Sequence, residues 1–96
     1  MKKKLYLVSV GISEFTESIR LAVPEGRAAE FERLMTSEGL SELLKIKEFE
    51  RELRSSLEDT MSMFLDECLS GGCNRPVSIE DISDEMEAGL AYPEFR

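Results

Sequence analysis

The sequence contains no histidine, only two cysteines and no apolar run longer than a few residues. Each absence removes a class of chemistry. Histidine is the commonest general base near neutral pH and, with cysteine, the commonest zinc ligand. Cys68 and Cys73, five apart in "CLSGGC", cannot close a four-ligand site alone. Cys68 is expected as core filler and Cys73 as a turn thiol, both reduced. A membrane span needs about 20 consecutive apolar residues, so no membrane-crossing helix is expected. The start "MKKKLYLVSVG" mimics a signal peptide, but Ser9 and Gly11 break its short apolar run and no small-x-small cleavage site follows. The expected location is cytoplasmic.

The stretches that superficially suggest ligand sites fail on spacing. "SGG" and "PEG" lack the basic residue and helix context of a phosphate loop. "DISDE" lacks the central glycine and the terminal glutamate of a calcium loop. No "GxSxG" elbow accompanies the serines. Paired carboxylates such as Asp66 and Glu67 lack the enclosed setting that acid–base catalysis needs. The expectation is a non-enzymatic protein with no cofactor and no metal.

What is present is acidity, unevenly placed. The 96 residues carry 12 basic and 20 acidic groups, a net charge of −8. Residues 1–24 hold four basic and two acidic groups, whereas residues 76–96 hold one basic and six acidic. Such a balance repels phosphates, so direct binding of nucleic acid or anionic lipid is not expected. A basic protein partner is permitted.

Length sets one domain. Residues 4–23 read as an antiparallel hairpin with its turn near Gly11–Glu14. Phe15, Ile19, Leu21 and Val23 alternate onto one face, with Glu17 as the exception. A helix over Ser13–Leu21, which would make the fold all-α, is the competing reading. Residues 26–37 have helical spacing, stopped at Gly39. Leu40, Leu43, Ile46, Phe49, Leu53, Leu57, Met61, Phe64 and Cys68 then step by three or four. This predicts a helix over 40–70, either continuous or broken near Ser55. A continuous one would present Leu53, Leu57, Met61 and Phe64 to a second chain, giving a homodimer. The tail, residues 90–96, is expected to dock through Leu90, Tyr92 and Phe95. The fold class is therefore α+β: a short hairpin, two or three helices with one long, and a short acidic helix over 78–89.

That last helix is predicted from Ser78 as N-cap, the Val77/Ile82 staple and Gly89 as stop. Its carboxylates Glu80, Asp81, Asp84, Glu85 and Glu87 have no lysine among them. Like charges at Glu80/Asp84 and Asp81/Glu85 would each cost a few tenths of a kcal/mol on a helix. Uncompensated repulsion suits a surface meant for a basic partner, with Asp66 and Glu67 extending it. Carboxylates spaced along helices can imitate a nucleic-acid backbone. Size, acidity and lack of catalytic apparatus are similar to those of small phage anti-defence inhibitors and bacteriocin immunity proteins, a likeness of class that rests on no shared motif. The function expected is an inhibitor or antagonist occupying a basic site on a partner, a nucleic-acid-binding site being one form of it. The alternative is a self-associating accessory protein whose acidity serves only solubility.

Overall fold

The computed structural model describes residues 2–12, 15–56, 63, 66 and 77–95. Its frame is the expected hairpin. β1 (Lys3–Ile12) pairs antiparallel with β2 (Phe15–Pro24), Tyr6 opposite Leu21 and Val8 opposite Ile19. Alternation sends Tyr6, Val8, Val10, Ile19, Leu21 and Val23 to one face, where all are buried. Glu17, the exception in the pattern, stands half-buried opposite Val10. The all-α alternative is thereby overturned: residues 15–24 are strand.

Among the described residues, three helices cover the apolar face. Pro24 ends β2, and a 3-10 turn at Glu25–Arg27 leads into α1 (Ala28–Ser37). Phe31 and Met35 of α1 point into the core. Gly39 takes φ 35°, the positive region that glycine enters without a Cβ penalty. It turns the chain into α2 (Leu40–Leu43), and α3 (Lys47–Ser56) follows.

The helix expected over 40–70 is thus interrupted at Leu44–Ile46. The steps of three between Leu40 and Phe49 explain why. At 100° per residue, nine residues turn a straight helix to its opposite side, yet Leu40 and Phe49 are both fully buried. A break lets both face the sheet. The break near Ser55 considered above falls beside residues 57–62, outside the described residues. An unbroken helix would also run about 45 Å, against a longest extent of 38 Å.

Leu53 is likewise fully buried, in the same cluster as Leu21, Val23 and Phe49. Its expected place in a dimer interface is corrected: the chain's own core consumes it, because α3 folds back onto β2. Leu57, Met61 and Phe64, with Cys68 and Cys73, lie outside the described residues. No helix among the described residues is long and apolar enough to cross a membrane.

The larger correction concerns residues 78–89. Ser78–Asp81 is a strand, β3, antiparallel to β1, giving the sheet order β2-β1-β3. A 3-10 turn at Ser83–Glu85 follows, then irregular chain. Ser78 caps nothing, and Gly89, at φ 89°, serves a turn rather than a helix end. The physical reason is long-range. β1 has a second edge with unpaired backbone groups, and pairing Val8 with Ile79 satisfies it while burying apolar surface.

Two expectations follow from the core. Burial, aided by the neighbouring Glu32 carboxylate that accepts the Tyr6 hydroxyl at 3.3 Å, pushes the Tyr6 phenol up to about 12. An unfolded tyrosine titrates near 10. Between those pH values the unfolded chain has lost its proton and the folded chain has kept it, so stability falls as pH rises from about 10 to about 12. Tyr6→Phe should flatten this loss, on the order of 2–3 kcal/mol, in urea midpoints compared with wild type across that range. Leu53→Ala should cost about 2–5 kcal/mol, and equally at low and high protein concentration, because the cavity opens within one chain.

Candidate functional site

The acidic residues are placed by the chain's last segment, which crosses the back of the sheet. That back face is not wholly polar. Leu5 and Ala22 are paired neighbours there and both are buried, as is Ile82 beside them. Ile82 donates its N–H to the Leu5 carbonyl at 2.8 Å. The Leu5 N–H in turn donates to Ser83 Oγ at 3.1 Å. Ser83 therefore ends the strand by a side-chain bond where the backbone ladder stops. Its hydroxyl and its N–H both donate to Asp81 Oδ1, at 2.6 and 3.0 Å.

From Ser83 the chain passes over Leu5 and Ala22 to the far edge of the sheet. There Ala22 donates its N–H to the Pro93 carbonyl and accepts from the Phe95 N–H, both at 2.8 Å. Phe95 then turns into the core on the helical side. Its ring meets Phe31 edge-on at 5.1 Å, and Phe31 meets Tyr6 at 5.0 Å. Arg27 lies over the outer face of Phe95 at 4.7 Å, a cation–π contact. Lys3 and Glu94 add an ion pair at 2.9 Å. Residues 82–95 form a strap, fastened at β3 and at Phe95.

Of the tail residues expected to dock, Phe95 does so. Tyr92 is half-buried and its hydroxyl oxygen accepts the Glu87 N–H at 3.2 Å. Leu90 does not dock; it stays 56% exposed.

Between its fastenings the strap encloses an open hollow of about 670 Å³. Asp84, Glu85 and Glu87 line it with Arg20, Met86, Leu90 and Tyr92. Three of the five predicted carboxylates therefore converge, on a loop and not on a helix. The i, i+4 repulsion argued for them does not operate in this geometry. Two of the five are partly neutralised by the hairpin instead: Asp81 faces Lys4 at 3.5 Å and Glu85 faces Arg20 at 3.9 Å. The Ser83 hydrogen bonds, with a smaller contribution from Lys4, hold the Asp81 carboxyl below its usual range. Among the described residues no cation reaches Glu80, Asp84 or Glu87 within 4 Å.

Asp66 belongs elsewhere. Arg54 donates to it at 2.6 Å and to Glu50 at 2.8 Å, so it ties into α3 rather than extending the strap's acidic surface. Glu67 lies outside the described residues. The contributions that sequence reasoning missed are Arg20, Met86 and Leu90 as walls of the hollow. Met86 and Leu90 carried a signal, since both are large apolar residues inside the most acidic part of the chain.

The hollow has no enclosed nucleophile or base, and no group of three or more potential metal ligands occurs among the described residues. What it offers is charge and exposed apolar surface. No protein family, characterised protein or solved structure matches this chain.

Phe95 is the strap's anchor, and Phe95→Ala should be expensive, by about 3–5 kcal/mol for a buried ring. Even at temperatures where the hairpin persists, the Ala22 amide should exchange faster with solvent, because its acceptor on Pro93 is released. Unchanged exchange at Ala22 would show that the strap holds without its anchor.

Proposed function

We propose that this protein is a non-enzymatic binding module, and that the acidic strap over residues 80–90 occupies a basic site on a partner protein. One observation carries the reading. Glu80, Asp84 and Glu87 meet no cation among the described residues, while Met86 and Leu90 stand exposed, 36% and 56% accessible, in the hollow that Asp84 and Glu87 line. Charge alone would serve solubility. Exposed apolar side chains among unneutralised carboxylates suit a surface that is later covered, with the apolar contacts supplying affinity and the charges steering encounter. The strap's fastening at both ends limits the ordering entropy lost on binding.

A basic site held in this way is denied to its ordinary occupant, which makes the module an antagonist. Where that occupant is nucleic acid, the carboxylates stand in for phosphates. A net charge of −8 repels phosphates, so this reading places the nucleic acid on the partner and not on this chain.

The test is Asp84→Lys with Glu87→Lys in one chain, both residues being exposed and without an ion pair among the described residues. The fold should be unchanged by circular dichroism and melting. A partner captured by the wild-type protein should associate with the variant about tenfold more slowly or worse at low salt, with a flatter dependence on ionic strength. Association as fast as wild type overturns the reading.

A further inference from the structure

The sheet has two edges, and they are treated differently. The outer edge of β3 is four residues long, and just before it the Val77 N–H is satisfied by the Met35 carbonyl at the end of α1. The outer edge of β2 is longer. Ala22 turns both its N–H and its C=O outward, to the strap. In an antiparallel ladder this orientation repeats every second residue, so Arg20, Ser18 and Thr16 turn theirs outward as well. All three residues are exposed, and no hydrogen bond from the described residues reaches these backbone groups. A five-residue stretch of open edge therefore runs from the strap toward the hairpin turn.

We propose that this edge accepts an extended basic segment of a partner as an additional strand, resting on the acidic-surface reading above and specifying its mode. The edge already carries one isolated parallel bridge: Pro93 and Phe95 exchange backbone hydrogen bonds with Ala22 on the same line. Arg20 is at once the last open residue of that edge and a wall of the hollow. A strand laid along Thr16–Arg20 would project every second side chain toward the strap, where Asp84 and Glu87 meet no cation among the described residues. Lysine or arginine at alternate positions fits that row, with β-branched residues between them meeting the rim beside Ile19. A second copy of this chain is the poorer occupant. It would bring −8 against −8, and Glu17, half-buried on the core face, places a charge at the seam, a known device against edge-to-edge pairing. A basic partner meets attraction where a second copy meets repulsion.

The experiment uses the full chain, labelled with nitrogen-15, and two capped eight-residue peptides, one alternating lysine with valine and the other glutamate with valine. In the free protein the amides of Thr16, Ser18 and Arg20 should exchange rapidly. With the lysine peptide, exchange at these three should slow by tenfold or more, and the glutamate peptide should leave it unchanged. Ser18→Pro removes the central outward donor without breaking a backbone bond to β1, at the loss of one exposed hydroxyl contact with Ser9 at 3.0 Å, and proline is tolerated at edges because no ladder donor is lost. It should weaken lysine-peptide binding by tenfold or more. The idea fails if the three amides stay unprotected at saturating lysine peptide, if both peptides protect them equally, or if a folded Ser18→Pro binds as wild type does. Should that variant not fold, wild-type exchange decides alone. Binding lost in the Asp84→Lys, Glu87→Lys chain but kept in Ser18→Pro would overturn edge docking and leave the acidic surface standing.

Discussion

The chain Tyr6–Phe31–Phe95–Arg27 holds the molecule's two layers and its last segment in one piece. Tyr6 belongs to the central strand, Phe31 to the helix above it and Phe95 to the end of the strap, with centroids 5.0 and 5.1 Å apart. Arg27 closes the row from outside at 4.7 Å. Tilted and edge-on rings gain beyond their buried area because the electropositive edge of one meets the negative face of the next. A domain of 96 residues has a modest core, so a single ring connecting sheet, helix and tail matters more here than it would in a larger protein. Phe95, with the buried Pro93 before it, fixes the chain at the far edge of the sheet, while Ile82 is held beside Leu5 at the other end of the strap.

The strap's path decides what the acidic residues can do. Were residues 78–89 a helix, their carboxylates would sit in stacked rows and repel at fixed spacing. Instead β3 carries Glu80 and Asp81 against the hairpin, where Lys4 is near, and the loop carries Asp84, Glu85 and Glu87 around a hollow facing Arg20. The basic start and the acidic end of the sequence thus meet through the sheet. Neutralisation is partial, because the hairpin supplies few cations and the last segment supplies many carboxylates. The surplus falls on the loop.

The hairpin and α1 were legible because their signals are local. Alternation over Ile19–Val23 and the three-and-four spacing of Ala28, Phe31 and Met35 each specify one face of one element. Gly39 was legible as a positive-φ position for the same reason. β3 was not, because four residues are too few to show a period, and because Ile79, Ile82 and Met86 happen to be spaced as a helix face would be. The partner that makes Ser78–Asp81 a strand is Tyr6–Ser9, some seventy residues away. The break at Leu44–Ile46 stood between these cases. No proline or glycine marks it, yet repeated steps of three cannot keep one face of a straight helix, so the spacing carried the information. Among the site residues, the carboxylates of the hollow were found by composition, whereas Arg20 entered only through the sheet's geometry.

The open stretch of β2 stands beside backbone edges that are shorter or partly closed. β3 is short, Val77 is tied to α1, and the strap closes β2 at Ala22. Natural sheets cover or blunt such edges because an unpaired ladder recruits strands indiscriminately. Here no described residue pairs with the outward groups of Thr16, Ser18 and Arg20, but they are not unguarded. Glu17 makes the seam costly for an apolar strand, and a net charge of −8 makes it costly for another acidic chain. These two constraints leave positively charged extended segments as the strands least opposed. The same surplus of carboxylates that was first noticed as an oddity of composition thereby acts as a filter on which strands the open edge can accept.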